Sequence, residues 1–141
     1  MQNYQNILIA LDIYDNYEKV LDRGLKIAGS PSEISLVYTL LPEIYFAPYG
    51  AAFPTDLTDK IQTEATNKLT EIARMHSISE DRLYVPVGSA ADRIHFVANE
   101  IGADLIVLGT HGRSGLRLML GSTANAVLHG VKRDVLAVRI E

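Results

Sequence analysis

Cysteine and tryptophan are both missing from this 141-residue chain. Without cysteine there are no disulfides, no thiolate zinc sites and no cysteine nucleophile, and the composition suits a reducing compartment. A surplus of positive charge is missing too: 13 Lys and Arg stand against 17 Asp and Glu, for a net charge of −4. Nucleic-acid binding rests on clustered cations facing phosphates, so nucleic acid is not an expected partner. No apolar run approaches the roughly 20 residues that a membrane-spanning helix needs, so no membrane partner is expected either. The opening Met1-Gln-Asn-Tyr-Gln-Asn6 carries neither the cationic nor the apolar part of a secretory signal. The expected location is cytoplasmic. Linkers, repeats and low-complexity tracts are also absent, so the chain reads as one domain, 1–141. A chain this long buries roughly 68–70% of its unfolded surface and needs no covalent staple.

What is present alternates. Asn6-Ile-Leu-Ile-Ala-Leu-Asp12 is a continuous apolar run ending in an acid, which suits a strand covered on both faces. Residues 15–28 place Val20, Leu21, Leu25, Ile27 and Ala28 at helical spacing, and Gly29-Ser-Pro31 stops them. Glu33–Tyr38 reads as a second strand. Residues 41–55 carry Pro42, Pro48, Pro54 and Gly50 among Tyr45, Phe46, Tyr49 and Phe53, and read as a long apolar loop. A helix over 56–75 follows, then a strand over 83–87 whose Pro86 marks a sheet edge. Gly88-Ser-Ala-Ala-Asp-Arg-Ile94 opens a third helix running to Glu100, closed by Gly102. Ala103–Leu108 is a fourth strand, Ala124–His129 a fourth helix and Asp134–Arg139 a fifth strand. This order predicts a single α/β doubly wound domain, with a five-stranded, mostly parallel sheet and helices on both faces.

The chemistry concentrates between the fourth strand and the fourth helix, in Gly109-Thr-His-Gly-Arg-Ser-Gly-Leu-Arg-Leu-Met-Leu-Gly-Ser-Thr123. A glycine-rich turn leading into a helix offers backbone N–H groups to an anion, and glycine lets the backbone approach a phosphate. Gly121-Ser122-Thr123 adds hydroxyl donors, although Ser122 alone reads more readily as a helix cap. No lysine lies between Gly109 and Thr123, and no G-x-G-x-x-G occurs, which excludes a P-loop and the dinucleotide fingerprint. Arg113 and Arg117, with Lys132 and Arg133 further on, suit a small phosphorylated ligand. In such sheets ligands sit beyond the carboxyl ends of the strands, where strand order reverses. If the first and fourth strands are neighbours, Asp12 faces the glycine segment across that crevice. Asp12 can then accept ribose hydroxyls, or it simply starts a turn.

Other residues carry weaker signals. His111 lies in the glycine segment with no nucleophile or orienting acid evident beside it, so catalysis is not expected there. His95 and His129 read as helix-surface or subunit-contact residues, and no histidine pair has metal-ligand spacing. Tyr45, Phe46, Tyr49 and Phe53 form a lid or partner patch, or pack onto their own domain.

The whole chain resembles the universal stress protein family. The anchors are Ile7-Leu-Ile-Ala-Leu-Asp12, Gly88-Ser-Ala-Ala-Asp-Arg-Ile94, Asp104-Leu-Ile-Val-Leu-Gly-Thr-His-Gly112, Leu120-Gly-Ser-Thr-Ala124 and Asp134-Val-Leu-Ala-Val-Arg139, in that order. The resemblance implies strand order 3-2-1-4-5 and a homodimer paired through the last strand, Val135, Leu136, Ala137 and Val138. An unpaired apolar edge strand is an aggregation risk, so pairing is physically sensible. The nucleotide-binding branch carries G-x2-G-x9-G-[ST]. Here Gly109 and Gly112 keep the first spacing, but eight residues rather than nine separate Gly112 from Gly121. The resemblance further implies that Asp12 meets the ribose or the adenine edge, with Ala10 and Leu11 beside the base and Val37 lining its pocket or hydrogen-bonding the base through its backbone. Gly109, Gly112 and Arg113 meet the ribose and phosphates, and Gly121, Ser122 and Thr123 hold phosphates. The implied ligand is ATP, ADP or AMP, with Mg2+ as a possible companion. The implied function is regulatory, in the stress response and through a protein partner of unknown identity, with slow or no hydrolysis. The alternative is a nucleotide-free dimeric interaction module.

Overall fold

The computed structural model describes residues 4–40, 55–110 and 122–140, and in the second helix the side chains from residue 59 onward. Along the chain run β1 (Ile7–Ala10), α1 (Tyr17–Ile27), a 3-10 turn (Pro31–Glu33), β2 (Ile34–Val37) and α2 (Thr55–Met75). They are followed by β3 (Leu83–Tyr84), α3 (Ala90–Ile101), β4 (Leu105–Gly109), α4 (Ser122–Leu128) and β5 (Asp134–Val138). The sheet order is β3-β2-β1-β4-β5 and every pairing is parallel, as the alternation of strands and helices demands.

β1 is the centre of the sheet. Ile7 stands opposite Ile34 on one side and Leu105 on the other, and Ile7, Leu8 and Ile9 are fully buried. Their alternation divides the core in two. Ile7, Ile9 and Leu11 pack with Val20 and Leu21 of α1 and with Ala65, Leu69 and Ile72 of α2. Leu8 packs on the opposite face with Ile94, Val97 and Ala98 of α3 and with Ala124 and Val127 of α4. A strand apolar at every position is thus explained by helices on both faces.

Local chemistry sets the element ends. Gly102 caps α3 in the left-handed region at φ 66°, where a side chain would be strained. Ser30 and Glu33 form a reciprocal capping box around Pro31, so Glu33 belongs to that turn and β2 begins one residue later than expected. β3 is also shorter than the expected run over 83–87. Past Tyr84 only an isolated parallel bridge, Leu40 to Val87, continues it. Pro86 intervenes, with no N–H to give to a ladder.

The amino ends of the strands are tied by polar groups. Arg82 donates from Nε to Ser35 Oγ (3.0 Å), from Nη1 to the Ser32 carbonyl (2.7 Å) and from Nη2 to Asn6 Oδ1 (2.8 Å). Asn6 in turn donates through its side-chain amide to the Ile101 carbonyl. Asp104 accepts the backbone N–H groups of Gln5 and Asn6 at 2.9 and 3.1 Å. The Tyr4 hydroxyl donates to Asp134 Oδ2 at 2.5 Å.

Candidate functional site

Strand order reverses between β1 and β4, the topological switch point where such sheets open a crevice at their carboxyl ends. β1 leads there through Ala10 and Leu11 to Asp12. β4 leads there through Leu108 to Gly109. The register Ile9 to Val107 brings the two ends side by side, so Asp12 and Gly109 belong to one rim of the molecule.

Asp12 is half-buried. Its carboxylate accepts the Tyr14 N–H at 3.3 Å and its carbonyl accepts the Asp15 N–H at 3.0 Å. It therefore starts a turn as well as standing at the crevice. Asn16, in the left-handed region at φ 49°, then admits the chain to α1. Ala10 is half-buried, whereas Leu11 and Val37 are core residues at 5% and 1% exposure. The Leu11 N–H is already donated to the Val37 carbonyl at 3.0 Å. Both side chains are committed to packing, so these two residues can present only backbone to a ligand.

Gly109 has a packing reason of its own. A Cβ there would lie 2.2 Å from Ile140 Cδ1 and 3.3 Å from Val20 Cγ2. Thr110 ties this end of β4 to the last strand by donating its N–H to the Val138 carbonyl at 2.8 Å, and its Oγ1 accepts the Ile140 N–H at 3.3 Å. Ser122 and Thr123 are exposed and form the first turn of α4 rather than preceding it. Gly112, Arg113, Arg117 and Gly121 lie outside the described residues, as do His111 and the aromatics Tyr45, Phe46, Tyr49 and Phe53.

On the β2 side of Asp12 the structure adds residues that the sequence reading did not single out. Tyr14, 49% exposed, meets Tyr38 edge-to-face, with ring centroids 5.7 Å apart and planes at 79°. Lys68 of α2 places its Nζ 5.5 Å from the Tyr14 ring centroid. Thr39 Oγ1 is buried and has no hydrogen-bond partner among the described residues. The parallel register was the available signal. Ala10 pairs with Val37, so the residues that follow each strand must emerge side by side.

Elsewhere, His95 is half-buried on α3 and His129 is exposed just past α4 with its Nδ1 3.0 Å from the Asn125 carbonyl. Among the described residues no group of three or more His, Asp or Glu side chains could hold a metal ion, and no helix is long and apolar enough to cross a membrane. Val135, Leu136 and Ala137 of β5 are half-buried and Val138 is buried, on an edge strand.

The model of the universal stress protein family matches residues 3–139. Universal stress protein A homolog 2 of Coxiella burnetii is 42% identical over 144 residues, covering 100% of this chain and 99% of that protein. Among solved structures, hypothetical protein MJ0577 superposes with a TM-score of 0.80 at 25% identity, covering 99% of both chains. A universal stress protein in complex with cAMP superposes with a TM-score of 0.57 at 28% identity, covering 97% of this chain and 98% of its own.

Proposed function

The chain belongs to the universal stress protein family, and from that premise we propose that it is an adenine-nucleotide-binding regulatory protein of the cytoplasmic stress response. The observation that supports this most is the adjacency of β1 and β4, which puts Asp12 and Gly109, the first residue of the glycine-rich segment, at one sheet end. Asp12 accepts ribose hydroxyls, backbone at the end of β2 borders the base, and the segment from Gly109 to Thr123 takes the phosphates. The relative that is complexed with cAMP supports the ligand class. Gly112, Arg113, Gly121, Ser122 and Thr123 enter this reading on sequence pattern. Mg2+ is commonly held by one or two carboxylates plus substrate phosphates. Asp12 is an acid on this rim, so the ion is read as arriving with the triphosphate.

The reading is one of binding rather than turnover. Phosphoryl transfer needs an in-line water, a metal and groups that stabilise the developing charge. Asp12, Arg113 and Ser122 offer only part of that set.

The test is a thermal-shift and calorimetric titration of the purified protein with ATP, ADP, AMP and cAMP. Ligand that binds only the native state stabilises by RT ln(1 + [L]/Kd), about 2.7 kcal/mol at a hundredfold excess over Kd. A midpoint that climbs with ligand, and an Asp12→Ala variant that binds roughly tenfold more weakly or worse through a lost charged hydrogen bond, are the expected results. A midpoint unmoved by all four at millimolar concentration would overturn the reading. It would leave the nucleotide-free interaction module, which the shortened spacing between Gly112 and Gly121 favours.

A further inference from the structure

We propose that Tyr14 is the surface on which the nucleobase stacks, a role that rests on the nucleotide reading of the β1–β4 crevice. Strand order fixes the direction of the ligand. With phosphates at the β4 side and ribose at Asp12 on β1, the base extends toward β2. Neighbouring strands lie about 4.8 Å apart, so the step from β4 to β2 spans roughly 10 Å. Tyr14 and Tyr38 stand at that far end.

Tyr14 is braced although half its surface is open. Its backbone N–H is held by the Asp12 carboxylate at 3.3 Å, so the proposed ribose ligand and the ring belong to one turn. The edge-to-face contact with Tyr38, just past β2, and the Lys68 ammonium of α2 brace the ring from two further segments. A ring held in place beforehand loses little freedom on binding, which is what makes such a surface effective. Aromatic stacking accepts any base, because every base has a π-face. Discrimination then needs a hydrogen bond. The Thr39 hydroxyl, enclosed and without a partner among the described residues, follows Tyr38 at the same strand end.

The experiment compares wild type, Tyr14→Ala and Tyr14→Phe by calorimetry with ATP and with ribose 5-phosphate, which has no base. The chain has seven tyrosines and no tryptophan, so tyrosine emission and the tyrosine ring resonances in NMR report the contact directly. The expected result is a loss of ATP affinity of roughly 5- to 150-fold in Tyr14→Ala, the stacking gain per base converted to affinity. Tyr14→Phe should retain wild-type affinity within a few-fold, and ribose 5-phosphate should bind the two variants alike. The Tyr14 ring resonances of wild type should move upfield on ATP binding. Because the side chain is half-exposed, the ligand-free melting midpoints serve as the fold control.

Wild-type ATP affinity in Tyr14→Ala, or Tyr14 ring resonances unmoved by bound ATP, overturns the assignment of Tyr14 while the crevice reading stands. An equal loss for ATP and ribose 5-phosphate also overturns it, since the residue would then support the turn rather than the base. Wild type that binds neither compound overturns both.

Discussion

Among the described residues Arg82 donates to three groups, and none is an acid. It meets a hydroxyl, a backbone carbonyl and a side-chain amide oxygen from three separate segments. Hydrogen bonds from a charged donor contribute about 1.5–3 kcal/mol each in favourable settings, and losing the donor also leaves Ser35, 1% exposed, with a buried hydroxyl to satisfy. Arg82→Met is therefore expected to lower unfolding free energy by at least about 2 kcal/mol in urea titrations, keeping much of the apolar stem. Thr39 argues in the opposite direction. Its buried hydroxyl has no partner among the described residues, so Thr39→Val should raise the ligand-free melting midpoint, by an amount corresponding to about 1 kcal/mol. A lower midpoint in that variant would show that the hydroxyl is satisfied in solution. At this scale the sequence was partly legible. Asp12 stood out because an acid ended an apolar run. Tyr14 did not, because its significance comes from Tyr38 and Lys68, which are distant in sequence and close in space.

Gly24 shows how an element can be decided by its neighbour. In an exposed helix Gly→Ala gains about 1 kcal/mol from propensity. In α1 a Cβ at Gly24 would lie 2.3 Å from Cδ1 and 2.9 Å from Cγ1 of the fully buried Ile9. Overpacking a core costs typically 1–3 kcal/mol, so Gly24→Ala should destabilise instead, and Ile9→Val in the same chain should recover part of the loss. A chemical-denaturation series on the two single variants and the double variant checks the sign. Element existence was readable throughout, because the periodicities differ between strand and helix. Boundaries were less so. β3 ends at Tyr84 because Pro86 withdraws a donor, and β2 starts at Ile34 because the S-x-x-E signature of Ser30 and Glu33 claims the preceding residue. That signature was legible, and its pull outweighs the apolar pattern. Val37 was expected to line a pocket or to meet the base through its backbone, and its side chain is buried in the core, which leaves the backbone for that role. Sheet periodicity alone cannot say which buried position lies deep enough to be closed off.

Across the whole molecule, the sheet joins segments far apart in sequence, and Tyr4 with Asp134 ties the first strand's approach to the last strand. The hydrogen bond to Asp134 raises the Tyr4 pKa above its ordinary 10.0, helped by desolvation and by the carboxylate charges of Asp134 and Asp104. The native fold thus favours the protonated phenol. This contribution is complete below pH 10 and is lost as pH rises through the raised value. Tyr4→Phe should flatten that alkaline limb in melting midpoints measured from pH 8 to 12. The edge at β5 bears on assembly. We propose that half-buried Val135, Leu136 and Ala137 face a second copy, which would relieve the exposure of an apolar edge strand. Sedimentation velocity should then show one dimeric species on dilution through the micromolar range, whereas a monomer at every concentration would refute it.

The knots formed by Arg82, Asn6 and Asp104 all lie at the amino ends of the strands, and the crevice lies at the other. Foundation and workplace are thereby separated. Mutational drift in the turns after β1, β2 and β4 can retune what the protein recognises at little cost to its persistence in the cell, and protein engineers altering its ligand should begin at that rim and leave the opposite one untouched.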